Sequence, residues 1–259
     1  MPNATINGTT LHYQVDGPET GDWLVLSNSL GTNLNLWSGQ LATFSRRFRV
    51  LRYDTRGHGQ SAVPAGPYTI AQLSGDVIGL MDQLGIERAH FCGISMGGLT
   101  GIALGARYAA RIDRLVLCNT AALIGSAEIW TPRAERARRE GMEVLAAPVL
   151  ERWLTPAFRE REPAALAALR ATLVATSGDG YAANCEAIRD ADLRDETAAI
   201  KAPTLVIAGT HDLAATPEQG LWLADHIAGA RYLELDASHI SNVEQADAFN
   251  RAVLAFLTE

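Results

Sequence analysis

Residues 89–98 read Ala-His-Phe-Cys-Gly-Ile-Ser-Met-Gly-Gly, so that a short apolar run leads directly into Gly93-x-Ser95-x-Gly97. A strand, a Gly-x-Ser-x-Gly turn and a helix-compatible stretch in this order are typical of a nucleophile elbow. The tight turn forces the serine into a strained backbone conformation, and glycine two positions away on either side avoids a collision. The sequence therefore predicts an exposed Ser95 hydroxyl above a sheet, with the Met96 backbone N–H directed at a developing oxyanion.

The composition is that of a globular chain with an acidic surface. Of the 259 residues 47% are hydrophobic, which suits one α/β domain with an insertion. The net charge of -7 argues against nucleic acid as a partner and leaves recognition of an anionic substrate to a local cation. The sequence has no apolar run near 18 residues and no basic-then-apolar leader, so we expect a cytoplasmic protein without a membrane contact.

The cysteines and three of the six histidines show no spacing typical of a metal centre. Cys92, Cys118 and Cys185 cannot all pair and form no Cys-x-x-Cys, which argues against a disulfide framework and a thiolate site. Cys92 and Cys118 lie in apolar runs and are interpreted as small buried residues. Three other histidines, His12, His90 and His226, lack metal-ligand spacing, so we expect no metal.

Short apolar runs alternate with longer helix-like stretches along most of the chain. Strands are predicted over residues 11–15, 23–27, 48–53, 89–92, 115–118, 204–208 and 232–235. Several of these runs are continuously apolar, as strands must be when helices cover both faces of a parallel sheet. Helices are predicted over residues 70–84, where Gly85 ends the apolar face, and over residues 247–257. This alternation predicts an α/β fold with a mostly parallel, doubly wound sheet.

One long segment interrupts the alternation of strands and helices. Residues 122–189 are rich in Ala, Arg and Glu, contain no convincing strand, and are interpreted as short helices separated by prolines and Gly178-Asp179-Gly180. Because ligands bind outside the carboxyl ends of parallel strands, an all-helical insertion between two late strands predicts a cap. We therefore assign residues 1–121 and 190–259 to the core and residues 122–189 to the cap.

A serine nucleophile needs a base, and the base needs a group that orients it. Asp212 and His239 each follow a predicted strand, and the order serine, acid, histidine leaves room for the whole cap before Asp212. We assign Ser95 as nucleophile, His239 as general acid and base, and Asp212 as the carboxylate that fixes the His239 tautomer. His211 and Asp236 lie close by in the sequence and are the alternatives for the last two roles.

An oxyanion hole of this type takes its second donor from the loop after the first inner strand. That loop is 27–32, Ser-Asn-Ser-Leu-Gly-Thr. By position, the backbone N–H of Leu30 is the best partner for the backbone N–H of Met96.

These residues resemble the α/β-hydrolase superfamily over almost the whole chain. Asp54-Thr-Arg-Gly-His58-Gly-Gln-Ser61 is similar to the Asp-x-Arg-Gly-His-Gly-x-Ser loop that is common there. The resemblance implies a structural role for His58 beside the oxyanion loop. The chain departs from many members in one respect, because Asn28-Ser29 stands where they carry His-Gly.

A narrower resemblance is to the 3-oxoadipate enol-lactonases of the β-ketoadipate pathway. It is carried by residues 26–37, by Ile-Trp-Thr-Pro-Arg at 129–133, and by residues 177–181 and 185–190. The resemblance implies hydrolysis of 3-oxoadipate enol-lactone to 3-oxoadipate in aromatic catabolism, through an acyl-enzyme and without metal or organic cofactor. The implied partner is a small anionic lactone.

The free carboxylate of such a lactone calls for a cation in an acidic protein. The cap offers four arginines in one stretch, Arg133, Arg136, Arg138 and Arg139. Arg133 is the first candidate because it lies three residues from Trp130, on a similar face if that segment is helical. Trp130 is interpreted either as a lining residue of the pocket or as part of the cap core.

The triad alone leaves other functions open. A general carboxylesterase, a carbon–carbon bond hydrolase and a cofactor-free haloperoxidase of this fold share the same three residue types. A ligand receptor that retains a slow triad is the alternative from a different class. Haloalkane dehalogenases and epoxide hydrolases of this fold use an aspartate nucleophile, so Ser95 argues against both. The sequence makes no prediction of the oligomeric state.

Overall fold

A twisted eight-stranded sheet organises the computed structural model, which describes residues 2–259. The strands are β1 (Asn3–Ile6), β2 (Thr9–Asp16), β3 (Asp22–Ser27), β4 (Phe48–Tyr53), β5 (Ala89–Ile94), β6 (Ile112–Cys118), β7 (Thr204–Gly209) and β8 (Arg231–Leu235). Their order is β1-β2-β4-β3-β5-β6-β7-β8. The pairs β1–β2 and β2–β4 are antiparallel, and every other pair is parallel. The predicted mostly parallel α/β sheet is confirmed.

Helices of the core flank this sheet. They are α1 (Ser38–Phe44), α2 (Ile70–Gln83), α3 (Met96–Arg107), α9 (Pro217–His226), α10 (Ser241–Glu244) and α11 (Ala246–Leu257). α2 packs against α3, and α1 packs against α11. Thr69 begins α2 through a capping box with Gln72, and both predicted core helices are confirmed to within one residue at each end.

The central strands are buried on both faces, as their continuous apolar sequences require. β5 and β7 have no exposed position, and the last four residues of β3 and of β6 are buried. Removal of this apolar surface from water is the main driving force for the fold. The carboxyl ends of β3, β5, β6, β7 and β8 meet at one edge, where the functional loops begin.

The sequence did not predict β1. Only Ala4 is buried in this four-residue edge strand, so its sequence carries almost no apolar pattern. β2 also begins two residues before the predicted run. Both differences lie at the antiparallel edge, where strand pairing rather than burial defines the element.

Five helices lie between β6 and β7, where the cap was predicted. They are α4 (Ala127–Glu140), α5 (Glu143–Trp153), α6 (Pro156–Arg161), α7 (Pro163–Ala175) and α8 (Gly178–Arg189). Two prolines begin helices, as expected, but Pro132 and Pro148 lie inside α4 and α5. The interpretation of these two as breaks is wrong, because a helix that loses one backbone hydrogen bond can be held by the packing of its neighbours. The cap boundaries, 122–189, stay a prediction.

No helix within residues 2–259 is long and apolar enough to cross a membrane.

Candidate active site

The turn between β5 and α3 places Ser95 in a strained conformation, with φ 58° and ψ −114°. A Cβ atom on Gly93 would lie 2.1 Å from the Gly97 carbonyl oxygen, and one on Gly97 would lie 2.3 Å from the Ser27 carbonyl oxygen. Backbone atoms cannot move aside as a flexible side chain can. Both glycines are therefore required because other backbone atoms lie too close for a side chain. This is the steric reason for which the sequence motif predicts glycine at these two positions.

The structure brings Ser95, His239 and Asp212 together at the carboxyl ends of three strands. His239 Nε2 lies 2.9 Å from Ser95 Oγ, and His239 Nδ1 lies 2.8 Å from Asp212 Oδ2. All three residues are buried, so Ser95 is not exposed to open solvent as the sequence predicts but lines a cavity. The two alternatives, His211 and Asp236, instead pair with each other at 2.8 Å, with side chains that are 57% and 83% exposed.

Hydrogen bonds keep the Asp212 carboxylate ionised in spite of its burial. Oδ1 accepts from the backbone N–H groups of Ala214 and Ala215, at 2.8 and 3.0 Å. Burial raises the pKa of Asp212, but its interaction with His239 and these N–H groups outweigh burial and hold that pKa below its usual range. An ionised Asp212 accepts a hydrogen bond from Nδ1–H of His239, which leaves Nε2 unprotonated and able to accept the Ser95 proton.

Asn119 is a residue of the site that the sequence reasoning missed. It follows β6 with φ 46°, and its Nδ2 donates to Asp212 Oδ2 at 3.2 Å and to the Ser238 carbonyl oxygen at 3.0 Å. Its Oδ1 accepts from Ser241 Oγ at 2.5 Å. Asn119 therefore joins the acid to the loop that carries His239. Asn119 directly follows a continuous apolar run in the sequence, and this position could have identified it as a candidate.

The backbone N–H groups of Leu30 and Met96 have no hydrogen-bond acceptor among residues 2–259. Buried amides almost always have a partner, so two free amides next to Ser95 are available to an oxyanion. The Leu30 loop is fixed on both sides. Gly97 N–H donates to the Asn28 carbonyl oxygen at 3.1 Å, and Gly31 N–H donates to His58 Nε2 at 2.8 Å.

His58 and the loop residue Asn28 fix this loop through hydrogen bonds to buried neighbours. Burial lowers the pKa of His58 to about 4, so the imidazole stays neutral and Nε2 can accept the Gly31 N–H. Asn28 donates to the Tyr53 carbonyl oxygen at 2.6 Å and accepts from Trp37 Nε1 at 2.9 Å. Asn28 therefore fixes the loop by direct hydrogen bonds to buried neighbours.

A cavity of about 470 Å³ opens above Ser95 and His239, between the core and the cap. Its apolar lining comes from Leu30, Ile124, Ile129, Trp130, Val149, Trp153, Leu213 and Ala214. Its polar lining includes Ser29, Arg133, Arg152, Thr216 and Gln219. The cavity therefore combines a mainly apolar wall with two cationic side chains.

Arg133 and Trp130 both line this cavity from α4. The Arg133 guanidinium lies 5.0 Å from the centroid of the Trp130 ring, and its Nε and Nη2 donate to the hydroxyl of Tyr181, Nε at 2.7 Å. Within the described chain, Arg133 forms no ion pair. Trp130 Nε1 donates to the Ile124 carbonyl oxygen at 2.7 Å, so Trp130 both packs in the cap and lines the cavity.

The other three candidate arginines are bound to carboxylates of the cap. Arg136 and Arg139 pair with Glu140, and Arg138 pairs with Glu186. The cavity lining does not include them. Of the four, the structure leaves Arg133 as the one available to a ligand.

Arg152 and Trp153, at the end of α5, are further lining residues that the sequence reasoning missed. Arg152 has no carboxylate partner in the region 2–259. No local pattern marks these two residues, because the position of α5 above the core is set by tertiary contacts. The backbone N–H of Ile240, for example, donates to the Trp153 carbonyl oxygen at 3.0 Å.

Neither a metal cluster nor a disulfide is found in the described part of the chain. All three cysteines are buried thiols, and Sγ of Cys92 lies 3.9 Å from Sγ of Cys118. Burial raises the pKa of Cys185 to about 12, which keeps it in the unreactive thiol form.

Comparisons with known proteins show the family to which the chain belongs. Residues 22–246 match the family model of the alpha/beta hydrolase fold. The chain is 46% identical over 253 residues to 3-oxoadipate enol-lactonase 2 of Acinetobacter baylyi, which covers 98% of this chain and 95% of that protein. The crystal structure of the enol-lactonase from Burkholderia xenovorans is 64% identical, with a TM-score of 0.99 and complete coverage of both chains. A thermophilic esterase from Thermogutta terrifontis is 28% identical, with a TM-score of 0.94 and coverage of 100% of this chain and 98% of that chain.

Proposed function

The chain belongs to the α/β-hydrolase family, and we propose that it hydrolyses 3-oxoadipate enol-lactone to 3-oxoadipate. The main support for the proposal is the position of Arg133. Its side chain lines the same cavity as Ser95 and His239, and it forms no ion pair within residues 2–259. A free carboxylate on the lactone would supply the missing counter-charge. The two similar proteins that are named enol-lactonases support the same substrate.

Tyr181 holds Arg133 without neutralising it. The phenol is buried, and burial raises the pKa of Tyr181 well above its usual range, so its hydroxyl stays uncharged. A phenol that accepts two guanidinium N–H groups orients the cation but leaves its charge for a ligand. A mainly apolar cavity strengthens such a charge interaction, because few water molecules compete with the carboxylate.

The proposed reaction begins with attack of Ser95 Oγ on the lactone carbonyl carbon, as His239 Nε2 takes the hydroxyl proton. The oxyanion accepts hydrogen bonds from the N–H groups of Leu30 and Met96, each worth about 3–4 kcal/mol in the transition state. Collapse of the intermediate breaks the ring C–O bond. The enol oxygen leaves and receives the proton from His239, with Asp212 stabilising the imidazolium between the two transfers.

Hydrolysis of the acyl-enzyme repeats these steps with water. His239 takes a proton from water as the oxygen attacks the ester carbonyl, and Ser95 Oγ leaves with that proton. The released enol tautomerises to the ketone, which opposes reclosure of the ring. In the earlier acylation step the leaving group is an enol oxygen. It leaves more readily than an alkoxide, so its departure needs little help from an acid.

We also propose a cytoplasmic location. All three thiols are free in the described chain, as is usual in a reducing compartment.

The test compares kcat/KM for 3-oxoadipate enol-lactone, followed by the loss of its ultraviolet absorbance, with kcat/KM for p-nitrophenyl acetate. We expect a value above about 10⁵ M⁻¹s⁻¹ for the lactone, in the range of evolved enzymes. We also expect it to be well above that for the ester. An ester rate equal to the lactone rate would contradict the proposed substrate and leave the triad in place.

A general carboxylesterase is the second candidate. The apolar lining of the cavity and the similarity to the Thermogutta terrifontis esterase favour it. The same pair of substrates separates the two functions, because an esterase has no need of a carboxylate on the acyl group.

A further inference from the structure

A buried carboxylate outside the triad lies against the loop that carries His239. Glu244, the last residue of α10, is 7% exposed, and the described residues give it no cationic partner. Its Oε2 accepts from the Ser238 N–H, and its Oε1 accepts from the N–H and the hydroxyl of Thr155, at 2.7 and 2.8 Å. Three neutral donors therefore fix both oxygens of a buried carboxyl group that has no cation beside it among the described residues.

The two segments that Glu244 joins are both parts of the candidate active site. Ser238 directly precedes His239, and Thr155 follows the end of α5, where Arg152 and Trp153 line the cavity. Two further hydrogen bonds join the same segments. Ser238 Oγ donates to the Arg152 carbonyl oxygen at 2.8 Å, and the N–H of the residue after His239 donates to the Trp153 carbonyl oxygen at 3.0 Å.

We propose that Glu244 is a positioning residue, which fixes the backbone of the His239 loop against the cap. This inference rests on the proposed function only in using the lactone as an assay substrate. The role of Glu244 does not depend on it, since any acyl transfer by Ser95 needs the same loop. The His239 ring is held between Ser95 and Asp212 at 2.9 and 2.8 Å. A shift of about 1 Å in such a group costs on the order of 100-fold in rate, so the backbone at Ser238 must be fixed as well.

Glu244→Gln tests the proposal with little change in volume. The amide keeps one oxygen as an acceptor but presents its NH₂ group to a donor, either on Ser238 or on Thr155. We expect kcat to fall by about tenfold for both the lactone and p-nitrophenyl acetate, with KM within about twofold of the wild type. We also expect the rate at which a small fluorophosphonate modifies Ser95 to fall by the same factor.

The matched control is Asp16→Asn, which removes a partly buried carboxylate that pairs with Arg52, and neither of these two residues lines the cavity. We expect this variant to lower the Tm but to leave kcat and the fluorophosphonate rate unchanged. A purely structural Glu244 would give the same result in Glu244→Gln, namely a lower Tm with an unchanged kcat, and that result would overturn the proposal.

Thr155→Val and Thr155→Ser provide a second, milder test if Glu244→Gln fails to fold. Valine removes the hydroxyl donor to Glu244, whereas serine keeps it together with the N-cap of α6. We expect kcat to fall by about two- to fivefold in the valine variant and to stay at the wild-type value in the serine variant. Equal kcat values in both would contradict the proposal. If the wild type hydrolysed the ester but not the lactone, the proposed function would fail and the ester would still test Glu244.

Discussion

The elbow at Ser95 and the cap face at Arg133 line the same cavity, but different forces shape them. In the elbow, backbone contacts leave no room for a side chain at Gly93 or Gly97. In the cap, Arg133 is held by side chains alone, through the hydroxyl of Tyr181 and the ring of Trp130. The comparison teaches that the reacting group is fixed by the backbone, whereas the group that would select the substrate is fixed by replaceable side-chain contacts.

The largest expected effect is on the elbow side, at the nucleophile itself. Ser95→Ala removes the hydroxyl that His239 contacts at 2.9 Å. We expect kcat for the lactone to fall by about 10⁶-fold, as in other serine triads, because the acyl-enzyme can no longer form. Calorimetric titration with 3-oxoadipate should still show binding, since the cap face is unchanged. Retained turnover in this variant would falsify the mechanism.

Gly97→Ala tests whether backbone sterics fix the elbow. The added methyl group would lie 2.3 Å from the Ser27 carbonyl oxygen, so we expect a loss of about 3 kcal/mol in the free energy of unfolding, together with almost all activity. The measurement is urea unfolding of the variant beside the wild type. Gly39→Ala in α1 is the control, because its methyl group would meet no atom closer than 4.0 Å. We expect that control to be neutral or slightly stabilising.

Arg133→Met tests the cap side of the comparison. Loss of a charged contact to the substrate carboxylate should cost about 2–4 kcal/mol, which is about 30- to 1,000-fold in kcat/KM for the lactone. The rate with neutral p-nitrophenyl acetate should change by less than about threefold. Arg136→Met, which breaks a surface pair with Glu140, is the control and should leave both rates unchanged. Equal losses with both substrates would remove Arg133 from carboxylate recognition.

The support of the oxyanion loop by His58 leads to an expected effect on stability that appears only at acidic pH. Burial lowers the pKa of His58 to about 4, so between pH 6.5 and pH 4 the unfolded chain binds a proton at this position that the folded chain does not. The stability that neutral His58 contributes is therefore complete above pH 6.5 and falls as the pH is lowered to 4. We expect a loss of about 3 kcal/mol across this window.

His58→Gln is the matched variant, since glutamine can accept the Gly31 N–H without a titration in this range. The difference in the free energy of unfolding between wild type and variant, measured in urea at several pH values, should shift against the wild type as the pH falls. A difference that is independent of pH would show that His58 does not titrate as described.

Elements with a strong local pattern could be predicted from the sequence. The helix at Ile70–Gln83 has an apolar face and defined ends, and the buried strands carry continuous apolar runs. β1 could not be predicted, because pairing with β2 rather than burial defines it. Pro132 inside α4 misled the interpretation because tertiary packing outweighed a local helix breaker.

The sequence by itself determined the alternation of buried strands and helices in the core, a strand-free stretch before β7, and the three residues at strand ends in the order serine, acid and histidine. These features depend on local sterics and on apolar periodicity, which are properties of neighbouring residues. The sharp turn around Ser95 is the clearest case, since its glycines are required wherever that turn occurs.

Only the tertiary structure decided which side chains surround the cavity. It separated Arg133 from the arginines that pair with carboxylates, and it brought Arg152 and Asn119 to the site. It also joined Glu244 to Thr155, 89 positions away in the chain. Such contacts depend on the packing of distant segments, and no local pattern records which partner a charged side chain meets.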